Sequence, residues 1–326
     1  MKILYLVIPC YNEQEVLPQT SHLFRRKMDE LINRNMIAES SRILFVDDGS
    51  KDGTWNIIQG LANSNNIFTG IRLSRNRGHQ NALLAGLMEA KQYADITISM
   101  DCDGQDDIEA VDRMLEEFEG GSDIVYGVRS DRRSDSLFKR ESAQMYYRLL
   151  KKLGGEIVYN HADFRLVSSR VLRELEKYKE VNLFLRGILP MIGFRSSCVF
   201  YERKERMSGK SHYSLRKMFA LAFNGITSLS VRPLQMITGM GIGISALSFL
   251  GVLWSVIEYF VGRTVSGWAS MTCIVCFVSG VQMISLGIIG EYIGKIYLET
   301  KQRPRYIVSE KTDLSNREEK IERKES

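Results

Sequence analysis

Two runs of 24 residues without a charge, Leu234–Ile257 and Gly267–Gly290, constrain this 326-residue chain more than any other feature. As helices rising about 1.5 Å per residue, each would span roughly 36 Å, enough to cross a hydrocarbon core of about 30 Å with some tilt. A buried helix of a soluble protein seldom reaches that length without a charge, and two in succession are rarer still. The connection between them, Glu258–Ser266, holds one cation, Arg263, whereas the outer flanks hold Arg216, Lys217 and Arg232 on one side and Lys295, Lys301, Arg303 and Arg305 on the other. The positive-inside rule places both flanks, and the N-terminal portion with them, in the cytoplasm. The expectation is a multi-pass protein of the cell membrane, anchored in the lipid bilayer by a two-helix hairpin at about 234–257 and 267–290 within residues 231–298. Gly239 and Gly243 form a G-x-x-x-G, a spacing that lets helix backbones approach and offers a homo-oligomer interface through the transmembrane helices.

The remaining length has room for one sizeable domain. Ile3–Ile8, Ile43–Val46, Phe68–Leu73 and Ile96–Met100 read as short apolar strands. They alternate with helical stretches over residues 15–35, 54–62 and 79–92. That alternation predicts an α/β domain with a mostly parallel, Rossmann-like sheet, whose ligands bind at the carboxyl ends of the strands. The first strand is too short for the apolar region of a signal peptide, and Pro9, Asn12 and Glu13 follow it at once. Around 138–153 and again over 214–230, apolar residues recur at helical spacing among Lys and Arg, a pattern suited to a membrane surface or to core packing under a charged face. The polar stretch 310–326 lacks apolar periodicity and is expected to be disordered. The organisation is therefore a cytoplasmic α/β domain over 1–213 with an interface helix, a juxtamembrane amphipathic helix over 214–230, the hairpin, and a cytoplasmic tail from 299, partly disordered.

Net charge is only +5, but Arg203, Lys204, Arg206, Lys210, Arg216, Lys217 and Arg232 gather beside the apolar third. Such a cluster suits nucleic acid, an anionic membrane or a phosphorylated substrate, and its place next to the spans favours the last two over nucleic acid. Five cysteines at scattered positions give no disulfide framework and fit a reducing compartment. Cys273 and Cys276 lie inside an apolar run without a second pair, which argues against zinc.

Asp101-Cys102-Asp103 directly follows a strand, so its two carboxylates can converge on one hard cation if the chain turns there. Mg2+ or Mn2+ takes such oxygens and completes its shell with water and substrate phosphate. Asp47-Asp48-Gly49-Ser50 ends another strand. It reads as a turn capping the next helix, as a contact to a nucleotide's base or ribose, or as both.

Taken in order, Ile8-Pro9-Cys10-Tyr11-Asn12-Glu13, Asp47-Asp48-Gly49-Ser50, Arg75-Asn76-Arg77-Gly78-His79 and Asp101-Cys102-Asp103-Gly104-Gln105 resemble family 2 glycosyltransferases of the GT-A fold. The likeness is greatest to the polyprenyl-phosphate branch, which includes dolichol-phosphate mannose synthases and GtrB-type glucosyltransferases. It covers about residues 1–230 by motif order, and the hairpin extends it to about 300. The resemblance implies that Pro9, Tyr11 and Glu13 line the nucleotide pocket with Asp48 on base or ribose, and that Arg75 and Gly78 border the nucleotide-sugar. It implies that Asp103, assisted by Asp101, holds Mg2+ or Mn2+ on the diphosphate. Asp163 matches an acidic residue beside the sugar. Arg165, two positions on in an extended segment, faces the same way. Arg203, Arg206 and Ser211, with Lys210 between them, match a loop that handles phosphates next to the membrane. Of all these, Asp103, Asp163 and Arg206 are the expected catalytic residues.

Asp106-Asp107-Ile108-Glu109 stands where relatives often have proline, and His212, which is given no role, stands where many have lysine. The Q-x-x-R-W motif of processive synthases is absent, which favours one transfer per cycle. The implied reaction is an inverting, metal-dependent transfer of one sugar to polyprenyl (undecaprenyl) phosphate, making a lipid-linked donor for cell-envelope glycosylation. A lipid phosphate is mostly dianionic at neutral pH, its second pKa being about 6, so it needs no general base. Arg203, Arg206 and Lys210 would offset the repulsion between two anionic substrates. Transfer to a lipid hydroxyl such as diacylglycerol, with Asp163 as base, and a non-catalytic nucleotide-sugar-binding scaffold are the alternatives. No motif names the sugar. UDP-glucose, UDP-N-acetylglucosamine and GDP-mannose stay open, with uridine favoured.

Overall fold

The computed structural model describes residues 1–130, 161–180, 185–202, 232–261 and 268–312. The chain divides into two units, one of Met1–Arg148, Glu156–Ser214 and Pro304–Ser326, the other of Leu149–Gly155 and Leu215–Arg303. The expected helices at 138–153 and 214–230, the residues Arg203, Arg206, Lys210, Ser211, His212 and Arg263, and the tail from 313 lie outside the described residues.

The first unit is a mixed α/β domain built on an eight-stranded sheet in the order β7-β5-β6-β4-β1-β2-β3-β8. The strands are β1 Leu4–Cys10, β2 Arg42–Asp47, β3 Phe68–Leu73, β4 Ile96–Ser99, β5 Ile124–Arg129, β6 His161–Ser168, β7 Ser196–Tyr201 and β8 Val308–Lys311. Between them run α1 Leu17–Asn33, α2 Thr54–Ser64, α3 His79–Ala90, α4 Ala110–Glu119, α5 Ser169–Leu175 and α6 Leu185–Met191. β3, β2, β1 and β4 are mutually parallel, with Cys10 in register with Asp47 and Val7 with Ser99. Their carboxyl ends therefore share one edge, where the loops after residues 10, 47, 73 and 99 collect.

Strand alternation explains the two-sided core. Leu4, Leu6 and Ile8 of β1 pack with Phe24 and Met28 of α1, Trp55 and Ile58 of α2 and Met114 of α4. Tyr5 and Val7 face the other way, into Leu83, Leu84 and Leu87 of α3. Truncating a fully buried side chain such as Phe24 or Leu83 to Ala costs about 2–5 kcal/mol at sites of this kind. α3 approaches the sheet through Gly86, where a Cβ would lie 2.4 Å from Val7 Cγ1 and 2.6 Å from Val46 Cγ2. No larger residue fits that position without moving a helix that carries Gly78 and His79 at its start.

The second unit contributes α7 Arg232–Phe260 and α8 Trp268–Thr300, of 29 and 33 residues. Leu234–Gly251 and Phe277–Thr300 have mean hydropathies of 1.4 and 1.3, and both helices are long and apolar enough to cross a membrane by length and composition. Leu247, Phe249, Trp254, Phe277 and Met283 are all more than half exposed. Continuous apolar surface of that extent is a surface for lipid or protein rather than for water.

Two differences from the sequence-based expectation stand out. Most strands run parallel as expected, but the sheet is mixed, because β6 runs antiparallel to both β4 and β5. Val308–Lys311, placed in a tail by its polar composition, forms β8 antiparallel to β3. Backbone pairing with an otherwise open sheet edge needs no apolar side chains, so composition gave no sign of it.

Candidate active site

The carboxyl-edge loops are laced to one another by short polar bonds. Asn12, in a left-handed conformation (φ 55°), donates its N–H to Ser50 Oγ at 2.9 Å and accepts from Lys51 N–H through its side chain at 2.9 Å. Glu13 N–H donates to Thr54 Oγ1 at 2.9 Å, and Gly53 N–H to Gln14 Oε1 at 2.9 Å. The loop after β1, with Tyr11 exposed on it, is thereby fixed to the loop after β2, while Pro9 is buried within β1.

Asp47 and Asp48 divide their work. Asp47 Oδ1 accepts from Ser50 N–H at 3.0 Å and closes the turn, and its Oδ2 lies 3.2 Å from Arg72 Nε. Asp48 accepts from Arg77 N–H at 2.7 Å and Gly78 N–H at 2.9 Å, which pins the Arg75–His79 loop. Burial pushes both carboxyls up from the ordinary range, against these hydrogen bonds. Gly49 (φ 66°) lets the two loops touch, since a Cβ there would sit 2.6 Å from the Arg75 carbonyl carbon. Asp48 has lone pairs beyond the two used, so holding this loop and meeting a nucleotide are compatible.

Asp101 and Asp103 follow β4. Gly104 at φ 67° turns the chain, and Gln105 N–H donates to Asp103 Oδ1 at 3.1 Å. Among the described residues no group of three or more His, Cys, Asp and Glu could hold a metal ion. A pair of carboxylates on a turning loop is an open donor set, the kind that suits a hard cation shared with water and a diphosphate rather than a closed protein cage.

Asp163 projects from β6 into a cluster of charged side chains. Arg186, on α6, places Nη2 2.9 Å from Asp163 Oδ2 and Nε 3.2 Å from Oδ1. The fully buried Arg165 also donates to Asp163, so Arg165 can act on a ligand only through that carboxylate. His79, the first residue of α3, has Nε2 3.4 Å from Asp163 Oδ2 and 3.7 Å from Asp101 Oδ1. Burial would raise the Asp163 pKa, but Arg186, Arg165 and His79 outweigh it and hold the carboxyl well below the usual range. Burial likewise disfavours the His79 cation, yet Asp163 and Asp101 win and raise its pKa.

Sequence reasoning passed over His79, Arg186, Asp106 and Tyr201. Asp106 Oδ1 accepts from Tyr201 Oη at 2.6 Å, tying the loop of Asp101–Gln105 to the end of β7, just before the basic segment at 203–211. Burial and the nearby Asp101 charge raise the Asp106 pKa to about 6. His79 stood inside the quoted Arg75–His79 motif and was findable there. Arg186 had no local signal, because its partner is 23 positions away across the fold.

The chain is similar to several known proteins. Residues 5–176 match the model of "Glycosyl transferase family 2". "Uncharacterized glycosyltransferase YkoT" of Bacillus subtilis (strain 168) is 50% identical over 314 residues, 96% of this chain and 93% of that protein. "Bactoprenol glucosyl transferase" of Shigella phage SfX is 40% identical over 305 residues, 93% of this chain and 97% of that one. Among solved structures, glucosyl-3-phosphoglycerate synthase from Mycobacterium tuberculosis superposes with a TM-score of 0.45 at 17% identity, covering 70% of this chain and 77% of that one. The parallel sheet, its aspartate-bearing loops and the full-length relatives lead to one assignment: the chain is a glycosyltransferase and belongs to glycosyl transferase family 2.

Proposed function

We propose that this enzyme transfers a single sugar, with inversion, from a nucleotide-sugar to a polyprenyl phosphate at the cytoplasmic face of the membrane. The observation that carries the proposal is the state of Asp163. Two arginines and His79 keep it charged and weakly basic, so it is a poor group to deprotonate an acceptor hydroxyl. An acceptor that arrives as an anion has no need of a base, and a lipid phosphate does so. The relative named bactoprenol glucosyl transferase, similar over nearly the whole of both chains, supports the same acceptor class.

Within this reading the loops after β1, β2 and β3 receive the nucleotide, with Pro9, Tyr11, Glu13 and Asp48 around base and ribose, and Arg75 and Gly78 along the sugar nucleotide. A uridine nucleotide is favoured. Asp101 and Asp103 would hold Mg2+ or Mn2+, which supplies Lewis-acid stabilisation of the departing diphosphate. Asp163 orients the sugar with Arg186, which it fixes in place. Arg203, Arg206, Lys210 and Ser211 would receive the acceptor phosphate.

The membrane topology belongs to the same proposal. β8 follows α8 in the chain and pairs with β3 of the catalytic unit, which supports a hairpin in which α7 and α8 each cross once and both ends are cytoplasmic.

The test of the metal assignment is sugar transfer by purified protein with and without excess chelator, beside Asp103→Ala. Loss of activity in chelator and a drop of at least about 100-fold in the variant are expected, a typical cost for losing a key electrostatic element. Full activity in chelator contradicts it.

A further inference from the structure

β8 does more than cover a sheet edge. Its backbone pairs with β3 at Ile71↔Lys311, Arg72↔Glu310 and Leu73↔Val308, and Ser74 N–H donates to Ile307 O at 2.9 Å. Beyond it, Thr312 N–H donates to Gly70 O at 2.9 Å. Those bonds suffice to satisfy an open edge. Glu310 adds side-chain bonds that the edge does not require. Its Oε2 accepts from Trp55 Nε1 at 2.9 Å and its Oε1 from Arg72 Nη1 at 2.9 Å.

Those two partners flank the loop after β2. Trp55 is the second residue of α2, immediately after that loop. Arg72 lies 3.2 Å from Asp47 Oδ2 through Nε and donates from Nη2 to Ser50 O at 3.4 Å. Ser50 in turn holds Asn12, and the neighbouring Asp48 holds Arg77 and Gly78. One carboxylate, delivered by the strand that follows the two long apolar helices, thus grips both sides of the loop to which the loops after β1 and β3 are bonded. The bonds from Arg72 and Trp55 also hold the Glu310 carboxyl below its ordinary range, so it is charged throughout the physiological interval.

We propose that Glu310 is a positioning residue for the donor: through Arg72 and Trp55 it sets the Asp47–Ser50 turn in the conformation that binds the nucleotide. The proposal rests on the reading of that turn as part of the nucleotide pocket. Because coupling between two sites is reciprocal, nucleotide in the pocket must also tighten the docking of β8.

The experiment uses the full-length protein in detergent, with UDP as the probe. In the native protein, UDP should bind by calorimetry and should slow amide hydrogen exchange over residues 307–312. Glu310→Gln should raise the UDP dissociation constant and the donor KM by roughly 5-fold or more, the low end of measured site-to-site couplings, while kcat stays within about two-fold. Glu310→Asp should recover part of the loss. Lys311→Ala removes the neighbouring ion pair to Glu89 and should leave the donor KM unchanged. If Glu310→Gln fails to fold, the exchange measurement on the native protein decides alone. UDP binding without protection of 307–312, or an unchanged KM in folded Glu310→Gln, overturns the inference and leaves the donor pocket standing. Failure of the native protein to bind UDP or any sugar nucleotide overturns the pocket itself, and the inference with it.

Discussion

Arg186 forks across Asp163, with Nη2 2.9 Å from Oδ2 and Nε 3.2 Å from Oδ1. The geometry is the two-pronged pairing that arginine makes and lysine does not. Arg186 is also a third exposed, so its guanidinium has an open side beside the carboxylate it fixes. Arg186→Lys keeps the charge and loses the fork. Turnover should fall by about 10- to 100-fold, in line with losing one to three kcal/mol of charge-assisted hydrogen bonding. Steady-state kinetics on the purified variant check this.

The same cluster has a pH signature. The Asp163 pKa is depressed in the folded protein, so its pairing contributes stability fully above the unfolded carboxylate pKa of about 3.9. That contribution is lost as pH falls through the lower folded value. Between pH 5 and 8, then, Asp163 should contribute no slope to stability or to activity. Arg186→Ala removes one of the groups depressing it, so the acid loss of stability should keep its onset near the unfolded pKa and be smaller than in the native protein. Thermal melting from pH 3 to 8 reads both curves.

Gly49 and Gly60 make opposite predictions from one substitution. Gly49→Ala meets a left-handed backbone and a Cβ 2.6 Å from the Arg75 main chain, so it should destabilise by more than the roughly 1–2 kcal/mol of the conformation alone and weaken nucleotide binding. Gly60 is exposed in the interior of α2 with open space around a new Cβ, and Gly60→Ala should stabilise by about 0.5–1 kcal/mol. Denaturant titrations of the two variants separate them.

Tyr201 and Asp106 link the loop proposed to hold the metal to the strand that leads into the basic segment. Tyr201→Phe removes the 2.6 Å bond and leaves a buried carboxylate with one donor fewer, a cost of about 1–3 kcal/mol. The apparent affinity for divalent cation should fall with stability, because Asp106 also lies 3.5 Å from Asp101 N. Unchanged cation dependence in a destabilised variant would make the bond purely structural.

Much of this was readable beforehand, and the reason is locality. The strand at Phe68–Leu73 appears with the expected bounds, and those at Ile43–Val46 and Ile96–Met100 within one residue, because each is a short β-rich run closed by Asp or Ser. Asp101, Asp103, Asp48 and Gly78 fall on one sheet edge because parallel strands put their carboxyl ends together. What could not be read were the partners supplied by distant chain. Arg72 and Glu310 are 238 positions apart, and neither carries a pattern that points to the other. His79 and Arg186 reach Asp163 from separate helices, so only the fold reveals that a carboxylate expected beside the sugar is held by two arginines and a histidine.

The central claim is that the acceptor is an anionic phosphate, and one comparison tests it most directly. Purified enzyme with Mn2+ and a labelled UDP-sugar is given undecaprenyl phosphate in one reaction and undecaprenol in another, and label in the extracted lipid is counted. The account predicts labelled lipid from the phosphate, formed in step with released UDP, and none from the alcohol. Equal labelling of the two would show that a hydroxyl is activated at this site, and would contradict the assignment of Asp163 as an orienting carboxylate rather than a base.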